Sequence, residues 1–293
     1  MSVVYQHSGK ISPIGAYCFL ILSILSCVLL AAFYSFAIWW LQKSDAIAVL
    51  FNFPVILTFG GLLGLLLGYY GKFGKIRNFT FILRTAFLLA LLFIYISWVT
   101  TLWLMGKSSG FLLSPLFILE SAKELSENGY WMIFDWKPTG KIHFVIWCVE
   151  ALAILLTTCF SSVYRISHDA YCERSESWAD EKLVIDPFDP VEDVHGFRSQ
   201  VLEGDFSPIL ELKRSERIRY HYAAVELVGF SKNPDFKLVT IKNIEKNLDP
   251  DNTNAPTDEI VIKNVITTPE INKLLTDLWV NQPAAEKRLN RKS

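Results

Sequence analysis

IHFVIWCVEALAILLTTCFSSVY, residues 142–164, is an apolar run interrupted by one carboxylate, Glu150. A hydrocarbon core of ~30 Å takes roughly 20 helical residues to cross, so this run is long enough to span a bilayer. Three earlier runs meet the same test: residues 16–41, 46–70 and 79–105. The fold class expected is therefore a membrane bundle of four transmembrane helices, followed by a small β-rich soluble domain of α+β type. Residues 1–165 form the helical part, 166–181 a juxtamembrane linker, 182–281 the β-rich domain, and 282–293 a disordered tail. The first run exceeds the roughly 7–15 apolar residues of a signal-peptide core and has no small-residue cleavage site, so it reads as a retained helix.

Composition supports two solvents. The chain is 52% hydrophobic and only 19% charged, below what a soluble protein of 293 residues usually carries. Residues 1–164 hold ten Lys and Arg against six Asp and Glu, a net of +4, with seven of the nine Trp. The remainder holds eighteen against twenty-three, a net of −5. Aromatic residues mark the interfaces: Trp39 and Trp40, Tyr69 and Tyr70, Trp98 and Trp103, and Trp147 all lie near run ends. Cys18, Cys27, Cys148 and Cys159 lie within apolar runs and Cys172 stands alone, so no disulfide framework is expected.

Basic residues set the orientation. The loop GKFGKIRN (71–78) packs Lys72, Lys75 and Arg77 together, with Arg84 just beyond. These four are the expected inner-interface or lipid-headgroup residues, and both termini are expected in the cytoplasm of a bacterial inner membrane. Arg84 reads chiefly as a snorkelling side chain. The outer loop, 106–141, carries a helix opening on Ser114-Pro115 and stopping at Asn128-Gly129. Leu116, Leu119 and Leu125 form its apolar face, which suits an interfacial helix on the outer leaflet, with YWMIFDW (130–136) anchoring the re-entry.

Within the bundle, Glu150 stands out. A carboxylate at such depth costs at least ~2.5–3.5 kcal/mol on insertion scales, so it faces the bundle interior or water, or carries a proton. Counting a rise of about 1.5 Å per residue puts Asn52, Ser97 and Thr100 at similar depth. Glu150, Asn52 and Ser97 thus form a candidate proton or cation site. The competing reading is an interhelical hydrogen bond worth ~1 kcal/mol or less. Gly60, Gly64 and Gly68 repeat at four-residue spacing and allow close backbone approach, within the bundle or between copies. Pro54 is expected to kink the same helix.

The soluble part reads as strands: KLVIDP (182–187), FSPILELK (206–213), HYAAVELVGFS (221–231), FKLVTIKNI (236–244) and DEIVIKNVI (258–266). The last two are the arms of a hairpin whose tip is NLDPDNTNAPT (247–257). A closing helix begins at Thr267 or Thr268 with Pro269 and Glu270, and Ile271, Leu274, Leu275 and Leu278 give it one buried face. His168 and Cys172 are four apart, but two ligands do not make a zinc site, which needs four N or S donors; His195 and His221 could complete a set, yet nothing in their spacing demands it, and no metal is expected. KRSERIRYHY (213–222) is basic, yet the domain's net charge opposes nucleic-acid binding. No G-x-S-x-G, H-E-x-x-H, Walker or G-x-G-x-x-G pattern occurs, so no enzyme and no cofactor is expected.

KISPIGA (10–16), the GKIRN loop (74–78), GYWMIFDWKPTGK (129–141) after a helix end, Trp147-x-x-Glu150 and YCERSESW (171–178) together look familiar. On these motifs the chain resembles a bacterial family of four-helix membrane proteins with a zinc-ribbon-like cytoplasmic domain. The family's tail has two Cys-x-x-Cys pairs; here the first falls on Cys172 and Ser175, the second near Leu227 and Phe230. The resemblance implies a β scaffold that has lost its metal, and brings no activity with it. The expected function is a non-enzymatic inner-membrane protein whose β domain binds a partner protein or regulates an assembly, with self-association also open. The alternative is a small channel or transporter built on Glu150 and Asn52.

Overall fold

The computed structural model describes residues 4–43, 48–108, 110, 114–129, 137–215, 221–245 and 257–280. The chain divides into two compact units, residues 8–168 and residues 1–7 with 169–293.

The first unit is helical: α1 (Pro13–Lys43), α2 (Ala48–Phe73), α3 (Phe79–Leu104), α4 (Pro115–Asn128) and α5 (Lys141–Ser167). Four of these, α1, α2, α3 and α5, are long and apolar enough to cross a membrane. Asn78 starts α3 by accepting the Phe81 N–H at 2.9 Å, which satisfies one of the donors a helix leaves open at its first turn. α2 runs on through Pro54. Its far end meets the start of α1 closely: a Cβ on Gly15 would lie 1.9 Å from the Gly74 carbonyl oxygen, so only glycine fits there. Outward side chains such as Phe33, Leu88, Leu152 and Phe160 are exposed, as expected of a bundle whose surroundings are apolar.

α4 is where Ser114-Pro115 and Gly129 set it, with the Ser114 hydroxyl accepting the Phe117 N–H at 3.1 Å. Its buried face differs from the expected one. Ile118, Ala122 and Leu125 are buried, the first and last clustering with Val99 and Leu102 of α3, while Leu116 and Leu119 are exposed. The smaller face packs on the bundle because Ser121 and Ala122 permit close approach. The anchor motif expected at 130–136 lies outside the described residues.

The second unit contains β1 (Tyr171–Cys172), β2 (Ser177–Trp178), β3 (Glu181–Phe188), α6 (Val194–Glu203), α7 (Ser207–Leu210), β4 (His221–Gly229), β5 (Leu238–Glu245), β6 (Thr257–Ile266) and α8 (Pro269–Val280). An antiparallel sheet runs β3-β4-β5-β6, and β1 pairs with β2. β5 and β6 are the two arms of the expected hairpin. Its tip at 246–256 lies outside the described residues, as do 216–220 of the basic stretch and the tail from 281. One sheet face, with Val225, Leu227, Val239 and Ile241, packs on Val201 of α6, Ile209 of α7 and Leu275 of α8. Asn243 staples the loop after β3 to this core: its side chain donates to the Val191 carbonyl at 2.9 Å and accepts the Val191 N–H at 3.0 Å.

Several expectations need correction here. FSPILELK is not a strand. Pro208 offers no ladder N–H, and Asp205 accepts the Ser207 N–H at 2.9 Å, so Ser207–Leu210 turn helical instead. α6 was not anticipated; it starts at Asp193, which accepts the Gly196 N–H at 2.9 Å, and ends at Gly204 in the left-handed region. Residues 166–181 are not a plain linker, because α5 runs to Ser167 and 171–178 fold into the β1-β2 hairpin. Finally, Val4 bridges to Val265 and the Tyr5 N–H bonds the Asn264 carbonyl at 2.8 Å, so the N-terminus belongs to the β unit. In α8, Leu275 is buried and Ile271 packs on the core, whereas Leu274 is 48% exposed.

Candidate site in the helical bundle

Four helices bring polar side chains to one cavity of about 70 Å³ near the end of the bundle where α1 stops and α2 starts. Its walls include Tyr34 of α1, Asn52 of α2, Ser97, Trp98 and Thr101 of α3, and Trp147 and Glu150 of α5. Leu125 of α4 closes one side. The volume accommodates a few water-sized groups, each taking about 30 Å³ in the liquid.

The polar atoms are unevenly satisfied. Ser97 is buried; its hydroxyl donates to the Ile94 carbonyl at 2.8 Å, and its own carbonyl accepts from Ser35 at 2.9 Å. Asn52 is only 6% exposed, and its Oδ1 has no hydrogen-bond partner among the described residues. Buried polar atoms are nearly always paired, and an orphan costs about 1–3 kcal/mol. Glu150 is half-buried, with no hydrogen bond or ion pair found for its carboxylate among the described residues. Among the described residues, no Lys or Arg lines the cavity.

Aromatic rings shape the rest. Trp98 and Trp147 meet edge to face at 4.9 Å, and His143 packs on Trp147 at 4.2 Å while its Nδ1 donates to the Pro138 carbonyl at 3.2 Å. Tyr34 contacts Phe59 at 5.7 Å and Phe93 at 5.5 Å, forming a floor. Beyond it toward the other end of the bundle, Leu63, Leu67 and Phe93 are fully buried.

The structure thus brings Glu150, Asn52 and Ser97 to one cavity, with Thr101 in place of Thr100. Tyr34, Trp98 and Trp147 were missed as site residues; an aromatic ring within an apolar run gives no signal of which way it faces. Gly60, Gly64 and Gly68 all face α5. Cβ atoms added there would lie 2.2 Å from Thr157 Oγ1, 2.4 Å from the Thr158 carbonyl oxygen and 2.7 Å from Arg165 Cβ. Lys72 and Lys75 are half-buried, Arg84 is exposed, and Arg77 is 8% exposed with its N–H bonded to the Lys10 carbonyl at 3.0 Å.

His168 caps α5 at the end of the helical unit whereas Cys172 lies on β1 of the β unit, so their spacing is not a helical one. Cys172 is buried beside Phe230, and its sulfur accepts from Asn233 Nδ2 at 3.5 Å. Burial pushes this thiol up, but hydrogen bonds from Ser175, Asn233 and nearby backbone outweigh it and hold the thiol below its usual value. Among the described residues, no three His, Cys, Asp or Glu side chains could together hold a metal ion. Compared with protein-family models, curated proteins and solved structures, the chain matches none.

Proposed function

We propose that this is a multi-pass membrane protein that binds a small cation, the proton included, in the cavity of Glu150 and Asn52 and moves it across the bilayer. The observation that carries the reading is Asn52: its buried Oδ1 has no partner among the described residues, and its side chain lines the same cavity as an intramembrane carboxylate. A residue serving only to glue helices would have its partner in place. The packed interior beyond Tyr34 favours a binding site that opens to each side in turn over an open pore. The basic loop with Lys72, Lys75 and Arg77 supports an inner-membrane orientation with both termini in the cytoplasm, which turns the cavity toward the outside. On this reading the protein is not an enzyme and needs no cofactor.

The test is flux in proteoliposomes holding the full chain. Wild-type protein should carry a proton or small-cation current that Glu150→Gln abolishes. Equal flux in the two proteins, or none in either, would sink the proposal.

A second reading, protein binding by the β unit, is favoured by an apolar groove beside β6. Leu202 and Ile260 line it and are 46% and 41% exposed. A photo-crosslinker at Leu202 in native membranes should give one discrete protein adduct that Ile260→Glu removes. Adducts with lipid alone would exclude it.

A further inference from the structure

The chemistry of the cavity selects among cations. This inference rests on the reading of the cavity as a cation site and goes on to name the class. Five oxygen-bearing side chains line it, Glu150, Asn52, Ser97, Thr101 and Tyr34, and the Ser97 hydroxyl proton is engaged by the Ile94 carbonyl. Tyr34, Trp98 and Trp147 bring aromatic rings to its wall, and Ile38, Ile94 and Leu125 are among its aliphatic members.

A dehydrated metal cation needs a shell of oxygens, six or more for calcium and full rings of carbonyls for potassium. The Ile94 and Ser97 carbonyls already accept from hydroxyl donors, so such a shell would have to come from side chains and not from these backbone oxygens. An ammonium group has different needs. Its N–H donors number three in a primary amine, fewer than the ligands a bare metal ion requires, and aromatic rings within about 6 Å attract its charge. A short alkyl group would lie against the aliphatic wall, as small ligands do in apolar pockets with a few convergent polar groups. We propose that the site takes ammonium or a short primary alkylammonium ion, held by Glu150, Asn52 and Ser97 and flanked by Tyr34, Trp98 and Trp147.

The test is calorimetric titration of the full chain in nanodiscs, at constant ionic strength and pH, with methylammonium, tetramethylammonium and potassium chlorides. Proton uptake is followed separately by pH titration. Methylammonium should give a saturable heat, with tetramethylammonium and potassium giving none. Each lost hydrogen bond to a charged group should weaken binding about tenfold or more, in Asn52→Leu and Glu150→Gln alike. Ser97→Ala, the mildest change, should weaken binding several-fold and guards against misfolding of the other two. Equal saturation by potassium would overturn the ammonium assignment and leave a cation site standing. So would proton uptake that depends on Glu150 with no response to methylammonium. No saturable response to any of the salts, and proton uptake unaltered by Glu150→Gln, would overturn both.

Discussion

Thr158 of α5 donates a 3.0 Å hydrogen bond to the backbone carbonyl of Gly60 in α2. Side-chain to backbone bonds between helices need the backbones close together, and the glycine stripe supplies that closeness. At Gly64 a Cβ would sit 2.4 Å from the Thr158 carbonyl oxygen, a backbone atom that cannot rotate away. Gly64→Ala should therefore force α2 and α5 apart and destabilise the bundle by about 1–3 kcal/mol. Gly61→Ala is the control, since its Cβ would meet nothing nearer than Ser161 Oγ at 4.0 Å. Thermal unfolding of the purified full chain should separate the two variants.

Arg198 of α6 protects the edge of the sheet. Its guanidinium donates to the carbonyls of Ile260 at 2.6 Å and Val261 at 2.9 Å, groups that an edge strand would otherwise present to another chain. Arg198→Ala should speed amide exchange along β6 and increase self-association through this edge. Light scattering and hydrogen exchange would report the two effects.

Asp180 and Ser231 couple the β unit to acid. Slight burial opposes ionisation of Asp180, but hydrogen bonds from the Ser231 hydroxyl and its N–H, the latter at 2.8 Å, hold the carboxyl below its ordinary value. A depressed carboxyl stabilises the fold above the ordinary carboxylate range, and this contribution fades as pH falls through the folded-state value below pH ~4. Ser231→Ala should therefore lower stability at neutral pH and make little difference in strong acid. Titration of the Asp180 carboxyl by NMR should show its midpoint rising toward the ordinary value.

Much of this was legible in the sequence, for identifiable reasons. Long apolar runs, the Ser114-Pro115 cap and the β5-β6 pattern are local signals. Helical rise alone brought Asn52 and Ser97 level with Glu150. Azimuth was another matter: a helix that is apolar all round has no stripe to show which face turns inward, so Tyr34 and Trp98 were missed. The segment at 206–213 has the apolar content of a strand, but Pro208 and the Asp205 cap turn it helical. α6 was hidden by Gly196, a poor helix former, although Asp193 and Gly204 bracket it. The pairing of Val4 with Val265 has no local signature, since strand partners far apart in sequence leave none.

Glu150 on this reading binds a ligand and does not merely join helices. Thermal stability of the full chain in nanodiscs, wild type and Glu150→Gln, with and without methylammonium chloride, tests it most directly. A ligand that binds only the folded state raises stability by about 2.7 kcal/mol at 100 times its dissociation constant. Methylammonium should raise the wild-type melting temperature and leave that of Glu150→Gln unchanged, while the variant without ligand is as stable as wild type or more so. A variant that melts lower than wild type, with no methylammonium-dependent shift in either protein, would contradict it.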